Sequence, residues 1–152
     1  MLGVGRKAPQ FSLQDQDGEN VSLKCLLGQK VILYFYPKDN TPGCTKQACA
    51  FRDQQDDFAN ANTVILGVSP DDEASHLKFA TKFDLPFRLL ADTDHSVCEA
   101  YGVWQEKNMY GRKYMGVVRS TFVIDETGVL LSETRKVKVG GHVQAVLAEV
   151  AG

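Results

Sequence analysis

The sequence predicts an α/β domain in which helices flank a central mixed β-sheet. Two apolar runs rich in β-branched residues, at residues 31–36 and 63–68, are typical of buried strands. Each run is followed by a stretch in which apolar residues recur at helical spacing, and a hairpin pattern lies near the C-terminus. The chain has 152 residues, of which 43% are hydrophobic, so it is long enough to bury a core of its own.

The N-terminal half is predicted to alternate strands with helices. The predicted elements, in order, are strands at 11–13, 21–22 and 31–36, a helix over 44–59, a strand at 63–68 and a helix ending at 83. Asp71 or Asp72 is expected to cap the second of these helices. Alternation of this kind places helices on both faces of a sheet.

The C-terminal half adds antiparallel strands and a last helix. The predicted elements are a strand at 87–90, a brief helix over 95–101, an irregular segment at 104–116, strands at 120–124 and 129–134, and a helix over 142–150. This order of elements is that of a thioredoxin-like fold with a short N-terminal extension. No repeat, linker or low-complexity tract divides the sequence, so we expect a single domain over residues 1–152.

Composition argues against several classes of partner. The net charge is −2 and the basic residues are scattered, which is unlike a nucleic-acid-binding surface. The longest apolar run, at residues 31–36, is far shorter than the ~18 residues of a membrane-spanning helix, and the N-terminus lacks the apolar core of a signal peptide. We therefore expect a cytoplasmic protein. Its four cysteines are then more typical of catalytic, metal-binding or core residues than of a disulfide framework.

The segment PKDNTPGCTKQACAFRD carries the strongest chemical pattern. It places Cys44 in the first turn of a helix, where the helix dipole and the free N–H groups of Gly43 and Cys44 favour a thiolate. A thiol with a pKa of about 8.5 is only about 3% ionised at pH 7, whereas one with a pKa near 6 is about 90% ionised. Thr41 adds a hydroxyl three residues earlier. The pattern predicts a reactive Cys44.

Cys49 follows Cys44 by five residues on the same predicted helix. That spacing gives a Cα separation of roughly 8.6 Å, whereas a disulfide needs at most about 7 Å. Cys44 lies on the apolar face with Ala48 and Phe51, and Cys49 lies on the polar face. A bond between Cys44 and Cys49 therefore requires the start of the helix to unwind, which predicts a redox switch coupled to local unfolding.

Other interpretations of the cysteines stay open. Cys25 and Cys98 are more typical of small buried hydrophobic residues, and the cysteine spacing contains no C-x2-C pair to indicate a metal site. None of the three histidines is tied to Cys44 by the sequence, so a Cys–His hydrolase lacks support. A general disulfide oxidoreductase would want a C-x-x-C motif, which the chain lacks. A redox-responsive binding protein, displaying a new surface when oxidised, is a further alternative.

Pro37, Thr41 and Cys44 stand in the P-x-x-x-T-x-x-C pattern of the peroxiredoxins. The longer segment YFYPKDNTPGCTKQACAFRD resembles the bacterioferritin comigratory protein group, the Q-type peroxiredoxins. The resemblance continues through VSPDD, LLADTDHSVCEAYGVW and RSTFVID, and so covers nearly the whole chain.

This resemblance implies a thioredoxin-like fold and a thiol peroxidase that uses no metal or organic cofactor. It implies that Cys44 is the peroxidatic cysteine and that Cys49 is the resolving cysteine. Thr41 and Arg119 would bind the peroxide oxygens and stabilise the thiolate, and Pro37 would shape and shield the pocket.

The resemblance also implies a cycle in which hydrogen peroxide or a small organic hydroperoxide oxidises Cys44 to a sulfenic acid. Cys49 then forms an intramolecular disulfide, and thioredoxin or a similar dithiol restores both thiols. We expect the protein to be a monomer. Position 47, often Glu in this group, is Gln47 here, which removes a nearby negative charge. Cys98 remains an alternative resolving residue.

Overall fold

The computed structural model describes residues 3–151, so both ends of the predicted 1–152 domain, residues 1, 2 and 152, lie outside the described residues. The described strands are β1 Ser12–Gln14, β2 Asn20–Ser22, β3 Lys30–Phe35, β4 Thr63–Ser69, β5 Arg88–Ala91, β6 Trp104–Met109, β7 Arg112–Val117, β8 Ser120–Ile124 and β9 Leu130–Arg135. The described α-helices are α1 Pro42–Asp53, α2 Gln55–Asn60, α3 Glu73–Phe83, α4 Ser96–Ala100 and α5 His142–Ala151. A 3-10 helix spans Leu23–Leu26. Among residues 3–151, no helix is long and apolar enough to cross a membrane.

Seven strands form one mixed sheet in the order β2-β1-β5-β4-β3-β8-β9. The central strands β3, β4 and β5 are parallel to one another, as expected for strands that are joined through helices. At one edge β8 and β9 run antiparallel, and at the other edge the N-terminal strands β1 and β2 add an antiparallel pair. The predicted central mixed sheet flanked by helices, with a short N-terminal extension, is confirmed.

The sheet separates two layers of core. Along β3 the side chains alternate, so that Leu33 and Phe35 pack into one layer whereas Tyr34 and Tyr36 pack into the other. The layer with Tyr34 contains the buried faces of α1, α2, α3 and α5, and we call it the α1 layer. The opposite layer contains α4 and is called the α4 layer.

The predicted helix over 44–59 is wrong in its bounds and its continuity. Helix α1 begins at Pro42, because proline has no N–H group to leave unpaired in a first turn and its fixed φ suits a helix. It ends at Asp53, and its C-cap residue Gln54, with a φ of −107° and a ψ of 10°, interrupts the helix before α2. The cap of α3 is confirmed at Asp72, which accepts a hydrogen bond from the Ser75 N–H at 2.9 Å.

The prediction of an irregular segment at 104–116 is wrong. Strands β6 and β7 form an antiparallel hairpin that is a separate two-stranded sheet. Its turn residues, Tyr110 and Gly111, both have positive φ, at 52° and 79°. Two such residues suit a tight hairpin turn, but the first of them is normally Asn, Asp or Gly. Because Tyr110 is not a typical turn residue, the sequence does not indicate this turn.

Candidate active site

The sheet brings together two segments that are far apart in the sequence. Phe35, at the end of β3, is paired with Ser120, at the start of β8. The chain that leaves β3 forms the loop leading into α1, and Arg119 directly precedes β8. This pairing places Arg119 beside the first turn of α1. The structure thus brings together Cys44 and Arg119, two of the residues predicted for the site.

Cys44 is buried and its sulfur is held by a cation. The Arg119 Nη2 group donates a hydrogen bond to Cys44 Sγ at 3.1 Å, and the Nη1 group donates to Gln47 Oε1 at 2.7 Å. Cys44 is only 2% exposed and Gln47 is fully buried. A charge-assisted contact from a guanidinium stabilises a thiolate, because the negative charge gains both a hydrogen bond and an adjacent positive charge. Gln47 fixes the guanidinium in that position.

The start of α1 leaves room and donors around the sulfur. An added Cβ on Gly43 would lie 3.2 Å from Arg119 Nη2, so a larger residue would press on the guanidinium. The first helical hydrogen bond runs from the Thr45 N–H to the Thr41 carbonyl at 2.8 Å. The N–H groups of Gly43 and Cys44 precede it and so have no acceptor within the helix. They are available to an oxygen atom bound near the sulfur.

Thr41 is the N-terminal cap residue of α1, with extended φ and ψ. Its hydroxyl donates a hydrogen bond to the Lys38 carbonyl at 2.9 Å, so the same oxygen is left to accept a hydrogen bond from a ligand. Pro37 is half-buried in the loop between β3 and α1. Both residues lie within seven positions of Cys44, on the short connection that also carries Asp39.

Cys49 lies on the same unbroken helix as Cys44 and is half-buried. Helical geometry keeps their Cα atoms roughly 8.6 Å apart, beyond the reach of a disulfide. All four cysteines are unbonded thiols in this structure. The predicted need for helix unwinding therefore applies to α1 as the structure has it.

The remaining cysteines are separated from Cys44. Cys98 is fully buried in the α4 layer, across the sheet from Cys44 in the α1 layer. Burial, followed by the neighbouring Asp92 carboxylate, raises the pKa of the Cys98 thiol. Cys98 and Cys44 therefore lie on opposite sides of the sheet and are not in contact in this structure. The interpretation of Cys25 as buried is wrong, because it is exposed on the 3-10 helix.

Sequence reasoning missed Lys107, on β6. Burial lowers the pKa of Lys107, and the positive charge of Arg119 lowers it further, whereas Cys44 acts in the opposite direction. Lys107 therefore lies near both Arg119 and Cys44. The sequence offers a signal for it only once residues 104–117 are recognised as a hairpin.

A second polar cluster surrounds Asp39, on the loop between β3 and α1. Asp39, Asp71 and His76 bring possible ligand atoms within 4.8 Å of one another, and they form the single group of this kind within residues 3–151. The atoms are hydrogen-bonded to protein groups: Asp39 Oδ2 lies 2.7 Å from His76 Nδ1, and Asp71 Oδ2 accepts the Asp39 N–H at 2.7 Å. A metal ion would have to displace these bonds. The sequence does not indicate this cluster, because the burial and the hydrogen bonds of Asp39 depend on tertiary packing.

The AhpC/TSA family profile matches residues 4–132 of the chain. A Coxiella burnetii relative of the peroxiredoxin bcp type is 54% identical over 151 residues, covering 99% of this chain and 97% of its own. Peroxiredoxin Bcp of Bacillus subtilis is 51% identical over 146 residues, covering 96% of this chain and 93% of its own.

The fold also matches a solved structure of this group. The bacterioferritin comigratory protein of Xanthomonas campestris, studied for its alkyl peroxide reduction activity, superposes with a TM-score of 0.88 at 41% identity. The match covers 92% of this chain and 89% of the other. The chain belongs to the AhpC/TSA family, and within it to the Bcp or Q-type peroxiredoxins, which are thiol peroxidases.

Proposed function

We propose that this protein, as one thioredoxin-like domain over residues 1–152, reduces hydrogen peroxide and small organic hydroperoxides with Cys44 as the peroxidatic cysteine. The observation that carries the proposal is the 3.1 Å contact from Arg119 Nη2 to Cys44 Sγ at the N-terminus of α1. A buried sulfur held by a fixed guanidinium, beside unpaired N–H groups, suits a thiolate that attacks an electrophilic oxygen.

The Cys44 thiolate attacks the terminal oxygen of the hydroperoxide, and the O–O bond breaks as the S–O bond forms. The leaving oxygen carries the electron pair away and takes a proton to become water or an alcohol. Arg119 and the N–H groups of Gly43 and Cys44 stabilise the charge that develops on the oxygens. Thr41 accepts a hydrogen bond from the peroxide O–H, and Pro37 shields the pocket from solvent.

The Cys44 sulfenic acid is then resolved by Cys49. The first turns of α1 unwind, the Cys49 sulfur attacks the Cys44 sulfur, and the oxygen leaves as water while a disulfide forms. A dithiol protein of the thioredoxin class supplies two electrons and two protons, which restores both thiols. We propose that the cycle runs in a cytoplasmic monomer.

Three matched cysteine variants test this assignment in a peroxidase assay with thioredoxin and its reductase. Cys44→Ser should abolish turnover, and Cys25→Ser, an exposed cysteine away from the site, should retain it. Cys49→Ser should consume about one peroxide per chain, lose thioredoxin-linked turnover and become over-oxidised more readily. Retained activity in Cys44→Ser would refute the peroxidatic role, and unchanged turnover in Cys49→Ser would refute its resolving role.

A further inference from the structure

Asp39 lies on the loop between β3 and α1, five residues before Cys44, and is buried. Its carboxylate accepts hydrogen bonds from the Tyr36 hydroxyl at 2.5 Å and from the Ser75 hydroxyl at 2.8 Å. Its Oδ2 also lies 2.7 Å from His76 Nδ1. A loop carboxylate with three side-chain partners is bound far more firmly than a solvated loop residue.

The main chain of Asp39 is held as well. Its N–H donates to Asp71 Oδ2 at 2.7 Å, and the same oxygen accepts the Ser69 hydroxyl at 2.8 Å. Ser69 ends β4, and Ser75 and His76 belong to α3. The backbone and the side chain of Asp39 are therefore both tied to the β4–α3 connection. We call Asp39 with these partners the Asp39 anchor.

His76 adds a short hydrogen bond to the anchor in a fully buried position. His76 is fully buried, and its Nε2 lies 3.0 Å from the Leu90 carbonyl oxygen, which can only accept. Nε2 therefore carries a proton, and a second proton must lie between Nδ1 and Asp39 Oδ2. A hydrogen bond of this length between buried groups is shielded from competing water, which strengthens it.

The residues between the anchor and the helix are held less firmly. Asn40 and Pro42 are exposed, and Asn40 has a positive φ of 58°. Among the residues that the structure describes, the Thr41 side chain bonds only to the Lys38 carbonyl, within the same loop. Asp39 is buried and makes four hydrogen bonds, whereas the helix start at Pro42, three residues later, is held weakly.

We propose that the Asp39 anchor is the fixed N-terminal boundary of the unwinding that brings Cys44 to Cys49. This inference rests on the proposed peroxidase cycle and adds a positioning role for Asp39 and His76. Five extended residues span up to about 17 Å, so Cys44 can leave its pocket while Asp39 stays bound. Without the anchor, the unwound segment would extend back into β3 and gain conformational freedom, which favours the unwound form.

Hydrogen exchange of the reduced and the disulfide forms locates this boundary. In the wild-type protein, peptides covering residues 43–49 should lose protection on disulfide formation, whereas the Asp39 amide should keep it. Loss of protection at Asp39 equal to that at Cys44 would overturn the anchor. Failure of peroxide to produce the Cys44–Cys49 disulfide at all would instead refute the proposed function.

The variant Asp39→Asn keeps the shape and replaces one carboxyl oxygen by an amide nitrogen, and His76→Gln tests the same anchor from α3. The matched control is Asp15→Asn, because Asp15 is also buried and accepts N–H bonds but lies beside β1, three strands from β3. Each anchor variant should slow Cys44 oxidation, lose protection at residue 39, and raise about tenfold the peroxide concentration that half over-oxidises Cys44. An unchanged over-oxidation threshold in both anchor variants, or an equal change in Asp15→Asn, would overturn the inference.

Discussion

The substitution Gln47→Glu would restore the residue that the resemblance leads one to expect, and we predict that it slows the reaction of Cys44. Gln47 Oε1 accepts a hydrogen bond from Arg119 Nη1, while Arg119 Nη2 donates to the Cys44 sulfur. A carboxylate at position 47 would pair with the same guanidinium and would stay ionised beside it. The positive charge that now serves Cys44 alone would be shared with a second anion.

The geometry gives the size of the effect. Two acceptors bound to the two terminal nitrogens of one guanidinium lie roughly 5 Å apart. Two negative charges at that distance repel by about 3 kcal/mol at an effective dielectric constant of about 20. Taken in full, this is a factor of about 200 in rate. Because solvent and Arg119 screen part of the repulsion, we expect a ten- to hundredfold slower oxidation of Cys44.

Rapid-quench mixing with hydrogen peroxide at pH 7, followed by mass spectrometry of Cys44, measures this rate directly. The control is Gln54→Glu, which adds the same charge at the end of α1, ten residues and roughly 15 Å along the helix axis from Cys44. Its rate should stay within about twofold of wild type, since the distance exceeds the Debye length at physiological salt. A Gln47→Glu rate equal to that of the control would refute the electrostatic reasoning.

Three further predictions concern residues around the site and in the core. Cys98→Ala should keep both the Cys44–Cys49 disulfide and peroxidase turnover. It should lower the free energy of unfolding in urea by about 1 kcal/mol, because buried volume is lost. Loss of the disulfide in this variant would contradict the prediction. Lys107→Met should slow Cys44 oxidation several-fold, because it removes a cation near the thiolate. The control Lys113→Met, at an exposed lysine, should not change the rate. Equal rates for the two variants in stopped-flow assays would contradict this prediction. Burial lowers the pKa of His142, so the folded state favours the neutral ring. The stability gained from burying the neutral ring is fully present above the unfolded pKa of about 6.5 and is lost as the pH falls through the folded pKa. His142→Gln should therefore flatten the fall in melting temperature between pH 7 and pH 5, and a slope as steep as wild type would contradict this.

Local hydrophobic patterns in the sequence are sufficient to predict the strands that are buried in the sheet. The apolar run at residues 31–36 predicts the strand that the structure has at Lys30–Phe35, and the strand predicted at residues 120–124 has the same bounds in the structure. The hairpin β6–β7 was missed because much of it is exposed and it shows no clear apolar alternation, and because its turn begins with Tyr110. The break at Gln54 was missed because nothing in that residue opposes a helix.

The residues of the site also differ in whether local sequence indicates them or only tertiary contacts do. Cys44 was predicted from its place after a Thr-Pro-Gly turn, which is a local feature. Arg119 came only from the resemblance, because its contact with Cys44 spans 75 residues and depends on the pairing of β3 with β8. Asp39 and Lys107 were not predicted, since their burial and their partners depend on tertiary packing.

The most direct test of the account is the mass of the whole reduced protein after one equivalent of hydrogen peroxide, followed by peptide mapping. The account predicts a loss of two hydrogens, with Cys44 linked to Cys49. A link from Cys44 to another cysteine would contradict the unwinding of α1 as the resolving step. No rapid change at Cys44 would contradict the proposed chemistry itself.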